Sequence, residues 1–475
     1  MNKALELAYY DVVVCGGGPA GFGAAISAAR HGQKTLLLEL NGATGGTATS
    51  GALPFWLGHT NGSIPFPQMM EKGLAYKDCP HPRKAVGGIF EEAMNRIKAA
   101  NGGVGPAIMG QTDKYPGLDR LGCHDEFTFD LEIGKRVMDE MLVEAGVDIR
   151  YYAHAMDVER EGNTVKGVYF VDKSGLQYVP AGVVIDCTGD ADMIAAAGFE
   201  TYKGDKVTGE MTGVGLVVHL ENIDAAAMEK YLNEGGDPWF RPQLAQARAD
   251  HPGMDLPEGG LIICPMVQDG VFMVNGGTSH YGYDGTSGQS MTDLTLRGRQ
   301  RARILAEVVF PGYIPGGKNA KLRISATYPG VRETRRIISE RALTEDDLLN
   351  GTRFPDTIAL AGRHFDLCRK GTGKNGNDGR QEFAEAGKKV LRGITEIPFS
   401  CMIPKGADNI LAAGRCVEAE GQALGPARIM STCMAMGEAA GTAAAHKLAA
   451  GCPFGKLDVA ALRQDLRDHG CEVDG

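Results

Sequence analysis

Residues 11–39, DVVVCGGGPAGFGAAISAARHGQKTLLLE, constrain the fold more tightly than any other stretch. They read as strand, tight turn, helix and strand. Residues 11–15 are an apolar run of buried-strand type, and Gly16-Gly17-Gly18-Pro19-Ala20-Gly21 supplies a G-x-G-x-x-G turn. Residues 23–30 are alanine-rich and helical, Gly32 ends that helix, and residues 34–39 form a second apolar strand. Gly16 permits the turn, Gly18 lets the backbone approach a pyrophosphate, and Gly21 with Ala25 lets the helix lie close on the strand. Amides at the helix start then face the phosphates, with the positive end of the helix dipole behind them. Glu39 closes the second strand, where a carboxylate accepts from both ribose hydroxyls of an adenosine. A bare G-x-G-x-x-G is a weak signal, but strand, helix and terminal acid together point to dinucleotide binding. An acid at the ribose argues against a 2′-phosphate.

At 475 residues the chain is too long for one simple core, so two domains or one elaborated domain are expected. Its 67 glycines imply many tight backbone turns around a ligand. A formal charge of −10 disfavours a nucleic-acid groove or an anionic membrane surface. No window approaches the roughly 20 uninterrupted apolar residues of a membrane span. The first residues, MNKALELAYYDVVV, lack the pattern of a secretory signal. Eleven cysteines, an odd number without paired spacing, suggest a reducing cytoplasm. No C-x-x-C occurs, so neither a zinc ribbon nor an iron–sulfur cluster is signalled and no metal is expected. Cys15, Cys187, Cys401 and Cys416 lie in or beside apolar strands and read as small core residues.

Downstream, residues 41–51 (NGATGGTATSG) follow the second strand directly. Gly45, Gly46, Thr47, Thr49 and Ser50 offer free amides and close approach to the far end of a long dinucleotide. Residues 52–127 are irregular, with one helix near 89–100, and read as a cap inserted over the ligand. A helix over 129–146, a strand over 147–152 and a meander over 155–179 follow, with turns at Asn163 and Ser174-Gly175. A further strand, 182–187, delivers Thr188-Gly189-Asp190.

This order of strand, G-x-G-x-x-G, helix, strand, acid, glycine loop, meander and T-G-D resembles the glutathione-reductase-type FAD-binding flavoproteins. The resemblance implies FAD as cofactor and places Thr188, Gly189 and Asp190 beside it; Cys187 replaces the usual alanine, a small-for-small change. Farther along lie GVRETRRI (330–337), PKGADNILAAGR (404–415) and CMAMGEAAGTAAA (433–445). With the earlier motifs they resemble the FAD-dependent oxidoreductase family related to the flavin domain of heterodisulfide reductase, and more distantly fumarate-reductase-type flavoproteins. The match spans roughly 11–205 and 330–449. It implies an α/β fold, a Rossmann-like FAD-binding domain whose parallel sheet carries a β-meander, with an inserted mixed α+β substrate domain. The corresponding division is 1–60, 129–205 and 395–475 for the FAD-binding domain, 61–128 for the cap and 206–394 for the substrate domain. Gly414 and Arg415 end a late strand, and Gly425, Arg428 and Ile429 precede a small-residue helix over 429–449. In the family that helix directs its positive end at the flavin pyrimidine, which stabilises an anionic reduced ring.

Within the second region, residues 212–220 read as a strand, 225–235 as a helix, and 260–274 as two strands around Gln268-Asp269-Gly270. A polar helix over 292–310 spreads Arg297, Arg299, Arg301 and Arg303 around itself, mostly toward solvent. Residues 359–379 are glycine-rich and read as either a long site loop or a disordered connection, the loop being the preferred reading.

A flavin accepts the hydride, so the protein must hold a C–H near N5 and manage one proton. Candidate bases are His59, His280 and His364. Arg332 and Arg335 either clamp a substrate carboxylate or join Glu333 and Asp346 in an ion-pair network at the domain junction. The leading expectation is oxidation of CH–OH or CH–NH in a small polar substrate, with electrons passed to an unidentified acceptor. Two alternatives stand beside it. One is reduction of an activated C=C, for which Arg332, Arg335 and Arg428 leave room; the other is service as an electron-carrying flavoprotein within a larger complex. A nicotinamide-dependent disulfide reductase is disfavoured, since no C-x-x-x-x-C is present. Homo-oligomerisation is left open.

Overall fold

The computed structural model describes residues 4–60, 83–105, 127–257, 259–275, 280–362, 367 and 394–475. Its centre is an eight-stranded sheet. Tyr10–Cys15 lies between Thr35–Leu38 and the long strand Gly175–Asp186, parallel to both, and Asp148–Arg150 adds a further parallel strand beyond Thr35–Leu38. The central parts of the inner strands are apolar because both faces are covered there. Val12, Val13, Val14, Leu36, Leu37, Val183, Val184 and Ile185 are all fully buried.

The meander is His154–Glu161, Thr164–Asp172 and the first half of Gly175–Asp186. The two strands expected in 155–179 and 182–187 are thus joined into one. Pro180 and Gly182 sit where the antiparallel ladder to Gly167 hands over to the parallel ladder from Ala181 to Tyr10. Ile410–Ala412 pairs beside the carboxyl half of this strand, as expected of a closing strand.

The helix after the glycine turn is Pro19–Arg30, starting earlier than the alanine run suggests because Pro19 fits the first helical position. Gly32, with φ +80°, ends it. The closing helix is Met430–Ala450. By sequence Gly437, Gly441 and the alanines suit close packing on the sheet; the glycines press instead on Pro19–Arg30. A Cβ at Gly437 would stand 1.9 Å from Ala20 O, one at Gly441 2.4 Å from Ala24 O, and one at Gly23 2.4 Å from Met434 O. Ser27 and Thr442 share a hydroxyl hydrogen bond of 2.9 Å across the same seam.

Of residues 61–128, helix Gly88–Ala99 buries Ile89, Phe90, Ala93, Met94 and Ile97 in the main core. The segments 61–82 and 106–126 lie outside the described residues. Helix Leu131–Glu144 is capped by Asp130, whose side chain accepts from Glu132 N and Ile133 N.

The second region has a four-stranded antiparallel sheet of its own, in the order Ile262–Pro265, Phe272–Asn275, Val218–Glu221 and Lys321–Ser325. Its separate core joins Val218, Leu220, Ile263, Phe272 and Val274 to Met228, Leu244, Leu305 and Phe310 of the covering helices. Helix Gly288–Ile304 turns Arg299 and Arg303 outward, but Arg301 is buried against Asp255, which Arg297 also binds at 3.0 Å. One turn separates those two arginines, so they share a face. By sequence an apolar helical turn is expected after Arg336; the structure makes Arg335–Ile337 a strand, antiparallel to Thr201–Lys203. Thr344 and Asp347 form a capping box for Glu345–Asn350. The start of the expected loop 359–379 is strand, Thr357–Ala361, paired with Thr395–Pro398.

Cys15, Cys187, Cys401, Cys416 and Cys433 are free and buried, as small core residues. Cys264 is disulfide-bonded, so cysteine spacing alone does not indicate the redox compartment. No helix among the described residues is long and apolar enough to cross a membrane.

Candidate functional site

Gly16 takes φ +98° at the end of the first strand, where a Cβ would stand 2.6 Å from Cys187 O. A Cβ on Gly21 would stand 1.8 Å from Gly16 O, so the turn and the helix start close on each other without side chains. Gly18 differs: a Cβ there would meet nothing within 4 Å. The space over its backbone is open, at the amino end of a twelve-residue helix. Two later motifs flank it. A Cβ at Gly46 would lie 3.0 Å from Gly18 Cα, and one at Gly414 would lie 3.2 Å from the Ala20 side chain. Gly45 N donates to Gly17 O at 2.7 Å, tying the second glycine loop to the first. The open cradle walled by three glycine turns fits the pyrophosphate of a dinucleotide.

Glu39 is buried at the strand end and organises this cradle. Its Oε2 accepts from Gly17 N at 2.6 Å, while Oε1 accepts from Asn41 N at 2.7 Å and Asn41 Nδ2 at 2.8 Å. Burial pushes its carboxyl above the ordinary value, and these three donors pull the other way. A carboxylate has about four lone-pair sites. Three are taken, so Glu39 has room for one ribose hydroxyl rather than the pair expected.

The second loop is held by the Thr49 hydroxyl and by its own backbone. Thr49 donates to Thr44 O at 2.6 Å, Thr47 lies in the short 3-10 turn Gly46–Ala48, and Ser50 O accepts from Thr327 N and Tyr328 N at 3.0 and 3.1 Å. Thr188 likewise donates inward, to Asp186 at 2.7 Å. Asp186 is fully buried, and burial pushes its carboxyl up to about 6 despite donors from Thr188, Met193 and Ile194.

Three motifs that lie far apart in sequence meet at Asp190. Arg415 Nη1 pairs with Asp190 Oδ1 at 2.9 Å and donates to Thr334 Oγ1 at 3.0 Å, and Thr334 donates in turn to Asp190. Gly189 takes φ +82°, and a Cβ there would stand 2.7 Å from Arg415 Nε, so glycine suits the turn that meets the guanidinium. Gly425 lies in the short helix Leu424–Ala427, Arg428 closes it through its amide to Leu424 O at 3.0 Å, and extended Ile429 starts Met430–Ala450. The helix expected over 429–449 is thus Met430–Ala450, and the short helix ahead of it is set off by Arg428 and Ile429.

The candidate catalytic residues part company. His59 packs its ring 5.7 Å from Phe90, in the aromatic nest of Trp56, Phe127 and Phe129, and burial pushes its imidazole down to about 4. Among the described residues neither ring nitrogen of His59 has a hydrogen-bond partner. His280 and Arg332 both border the segment 213–214. The backbone of His280 bridges Val214, and Arg332 Nη1 donates to the neighbouring Gly213 O at 2.7 Å. His364 lies outside the described residues.

The junction network expected of Arg332, Arg335, Glu333 and Asp346 is replaced by a different pairing. Arg335 binds Asp192 at 3.2 Å, and buried Glu333 binds Arg336 at 2.9 Å and holds Thr212 N at 3.0 Å. Arg332 meets a carbonyl and the Asn275 amide oxygen at 3.3 Å, and among the described residues it pairs with no carboxylate.

Three residues were not singled out from sequence. Thr334 sits inside a recognised motif, and its hydroxyl in an arginine-rich stretch was the available signal. Tyr328 follows the strand and has its phenol raised, by burial first and then by Asp190. His219 gave no signal within an apolar run; its Nε2 donates to Ala52 O at 2.9 Å, and burial pushes it down to about 4.

The family model of FAD dependent oxidoreductases matches residues 11–466. The chain belongs to the FAD-dependent oxidoreductase family. FAD is its cofactor, and the cradle described above fits that group. Leghemoglobin reductase of Glycine max is 31% identical over 183 residues, covering 37% of this chain and 29% of that protein. The tRNA uridine 5-carboxymethylaminomethyl modification enzyme MnmG of Lactobacillus johnsonii is 30% identical over 176 residues, covering 35% and 26%. The chain thus spans less than a third of the length of these curated relatives. A geranylgeranyl bacteriochlorophyll reductase-like protein from Thermoplasma acidophilum superposes on 98% of this flavoenzyme and 83% of its own chain, with TM-score 0.44 and 14% identity.

Proposed function

We propose that the enzyme oxidises a small polar substrate at a CH–OH or CH–NH group, and that this substrate carries a carboxylate. The reading rests on Arg332: a half-buried guanidinium that meets no carboxylate among the described residues. A cation held at a junction without a counter-ion favours an anionic ligand, and the planar fork suits a carboxylate bidentately.

When bound, the flavin supplies the two-electron acceptor for the substrate hydride. The chain's own residues supply the rest. Arg332 orients the substrate through its carboxylate. His280 is held neutral, its imidazole pushed down to about 4 by burial and by Arg301 and Arg297, and its Nε2 has no partner among the described residues. It accepts the hydroxyl or amine proton, and a substrate anion beside it raises its basicity toward the working range. The second region and the loop Ser50–Ala52 enclose the substrate and exclude water.

Arg332 equally suits an enoic acid, so reduction of an activated C=C is the second reading. Anaerobic mixing with hydroxy acids, amino acids and enoates, followed by flavin absorbance, separates them: bleaching by a hydroxy or amino acid supports oxidation, and reoxidation of reduced enzyme by an enoate supports reduction. Arg332→Gln should keep its flavin and raise KM about tenfold to hundredfold. Unchanged KM in that variant, or silence toward every carboxylate compound, overturns the reading.

A further inference from the structure

The second region reaches toward the cofactor cradle at Tyr328. Residues 326–334 run along the junction and are held at both ends. Ala326 N donates to Val217 O at 2.8 Å and Gly330 N to Gly215 O at 2.7 Å, while Thr334 at the far end bonds Asp190. In between, the chain crosses the second glycine loop. Thr327 N, Thr327 Oγ1 and Tyr328 N all donate to Ser50 O, at 3.0, 3.0 and 3.1 Å. Pro329 follows, and a residue before proline is steered away from helical backbone, so the path of the chain at Tyr328 is set from both sides.

The Tyr328 ring is half-buried, and among the described residues its hydroxyl has no hydrogen-bond partner. Its surroundings agree with a place over the cradle. Glu39 follows Thr35–Leu38 and Asp190 follows Gly175–Asp186, the two strands that flank Tyr10–Cys15. The glycine turn at the end of Tyr10–Cys15 therefore lies between these two carboxylates. Burial raises the phenol first, then Asp190, with Arg415 opposing and Asp192 and Glu39 adding to the rise. A phenol in the field of both carboxylates, tied to the loop that walls Gly18, stands across the open space where a Gly18 Cβ would meet nothing within 4 Å. Acid neighbours disfavour phenolate, so the hydroxyl keeps its proton and remains a donor. The amides of the turn and the helix dipole serve a phosphate from one side. Tyr328 offers a donor from the other.

We infer that the Tyr328 hydroxyl donates a hydrogen bond to the pyrophosphate of FAD, so that the second region closes the cradle and shares in holding the cofactor. The inference is independent of the reading given for Arg332.

Dilution of the full-length holoenzyme, with released FAD followed by its fluorescence, tests this. Tyr328→Phe removes only the hydroxyl and should raise the Kd for FAD about tenfold or more, as for a bond to a charged acceptor. ADP carries a pyrophosphate without the ribityl chain or the flavin, and its affinity, measured by displacement of FAD, should fall by a similar factor. The flavin-stripped variant should melt together with flavin-stripped wild type, because the hydroxyl has no partner among the described residues. Unchanged FAD affinity overturns the inference. Loss for FAD with none for ADP also overturns it, by moving the hydroxyl to the ribityl chain or the ring. So does a fall in the melting temperature of the stripped variant that accounts for the whole loss of affinity, which would make the hydroxyl a structural group.

Discussion

Each near neighbour of the Glu39 carboxylate is a donor: Gly17 N, Asn41 N and Asn41 Nδ2. An amide in its place must turn an NH₂ toward one of them whichever way it is flipped. Glu39→Gln should therefore weaken FAD binding about tenfold or more, read by flavin fluorescence on titrating the apoprotein. Wild-type affinity would show that the carboxylate does not organise the loop. The location of Glu39 was legible, because a strand-end acid after a glycine turn is a local pattern. Its partners were not, because they depend on the path the chain takes after the strand. Arg332 shows the same division. Its charge is plain in sequence. That Glu333 serves Arg336 and the distant Thr212 amide instead depends on which side chains the fold brings face to face.

Among the elements, the closing helix has two distinct faces of behaviour. Its glycines let it settle against Pro19–Arg30 at backbone contact, which braces the amino end aimed at the cradle. The same helix buries Glu438, whose Oε2 accepts from Ile89 N at 2.9 Å. Burial pushes this carboxyl up to about 7 from 4.5. The folded value lies above the unfolded one, so the folded state holds the extra proton. The stabilisation is fully present below pH 4.5 and is lost as pH rises through about 7. At about 1.4 kcal/mol per unit the whole effect is on the order of 3 kcal/mol. Glu438→Gln keeps the acceptor and removes the titration, so its melting temperature should gain on wild type between pH 5 and 8. Parallel melting curves for the two proteins over that range would refute the linkage.

For the molecule as a whole, the decisive contact is the docking of the second region onto the loop after the glycine turns. Ala52 and Phe55 pack with Leu216, Val217, Met273 and Ala326, while Thr327 and Tyr328 bind Ser50 O. His219 satisfies the Ala52 carbonyl at a residue with φ +50°. Losing that donor leaves a buried carbonyl unpaired, at a cost of about 1–3 kcal/mol. His219→Ala should lower the melting temperature and loosen flavin together, and His219→Gln should recover part of both. A His219→Ala protein as stable as wild type would show that this contact does not hold the regions together.

Local pattern sufficed for the dinucleotide unit, the meander turns, the capping box at Thr344 and the small-residue character of the closing helix. Each is a signal written within a few residues, in glycine positions, apolar periodicity or a capping hydroxyl. Folding in three dimensions decided that one strand serves two ladders, that the closing glycines meet a helix rather than the sheet, and that Thr334 joins Asp190 to Arg415. It also decided that Arg332 is left without a counter-ion among the described residues and that Tyr328 comes to rest on the second glycine loop. These outcomes depend on long-range packing: a side chain's partner is set by which segments the core brings together, and no short window of sequence carries that information.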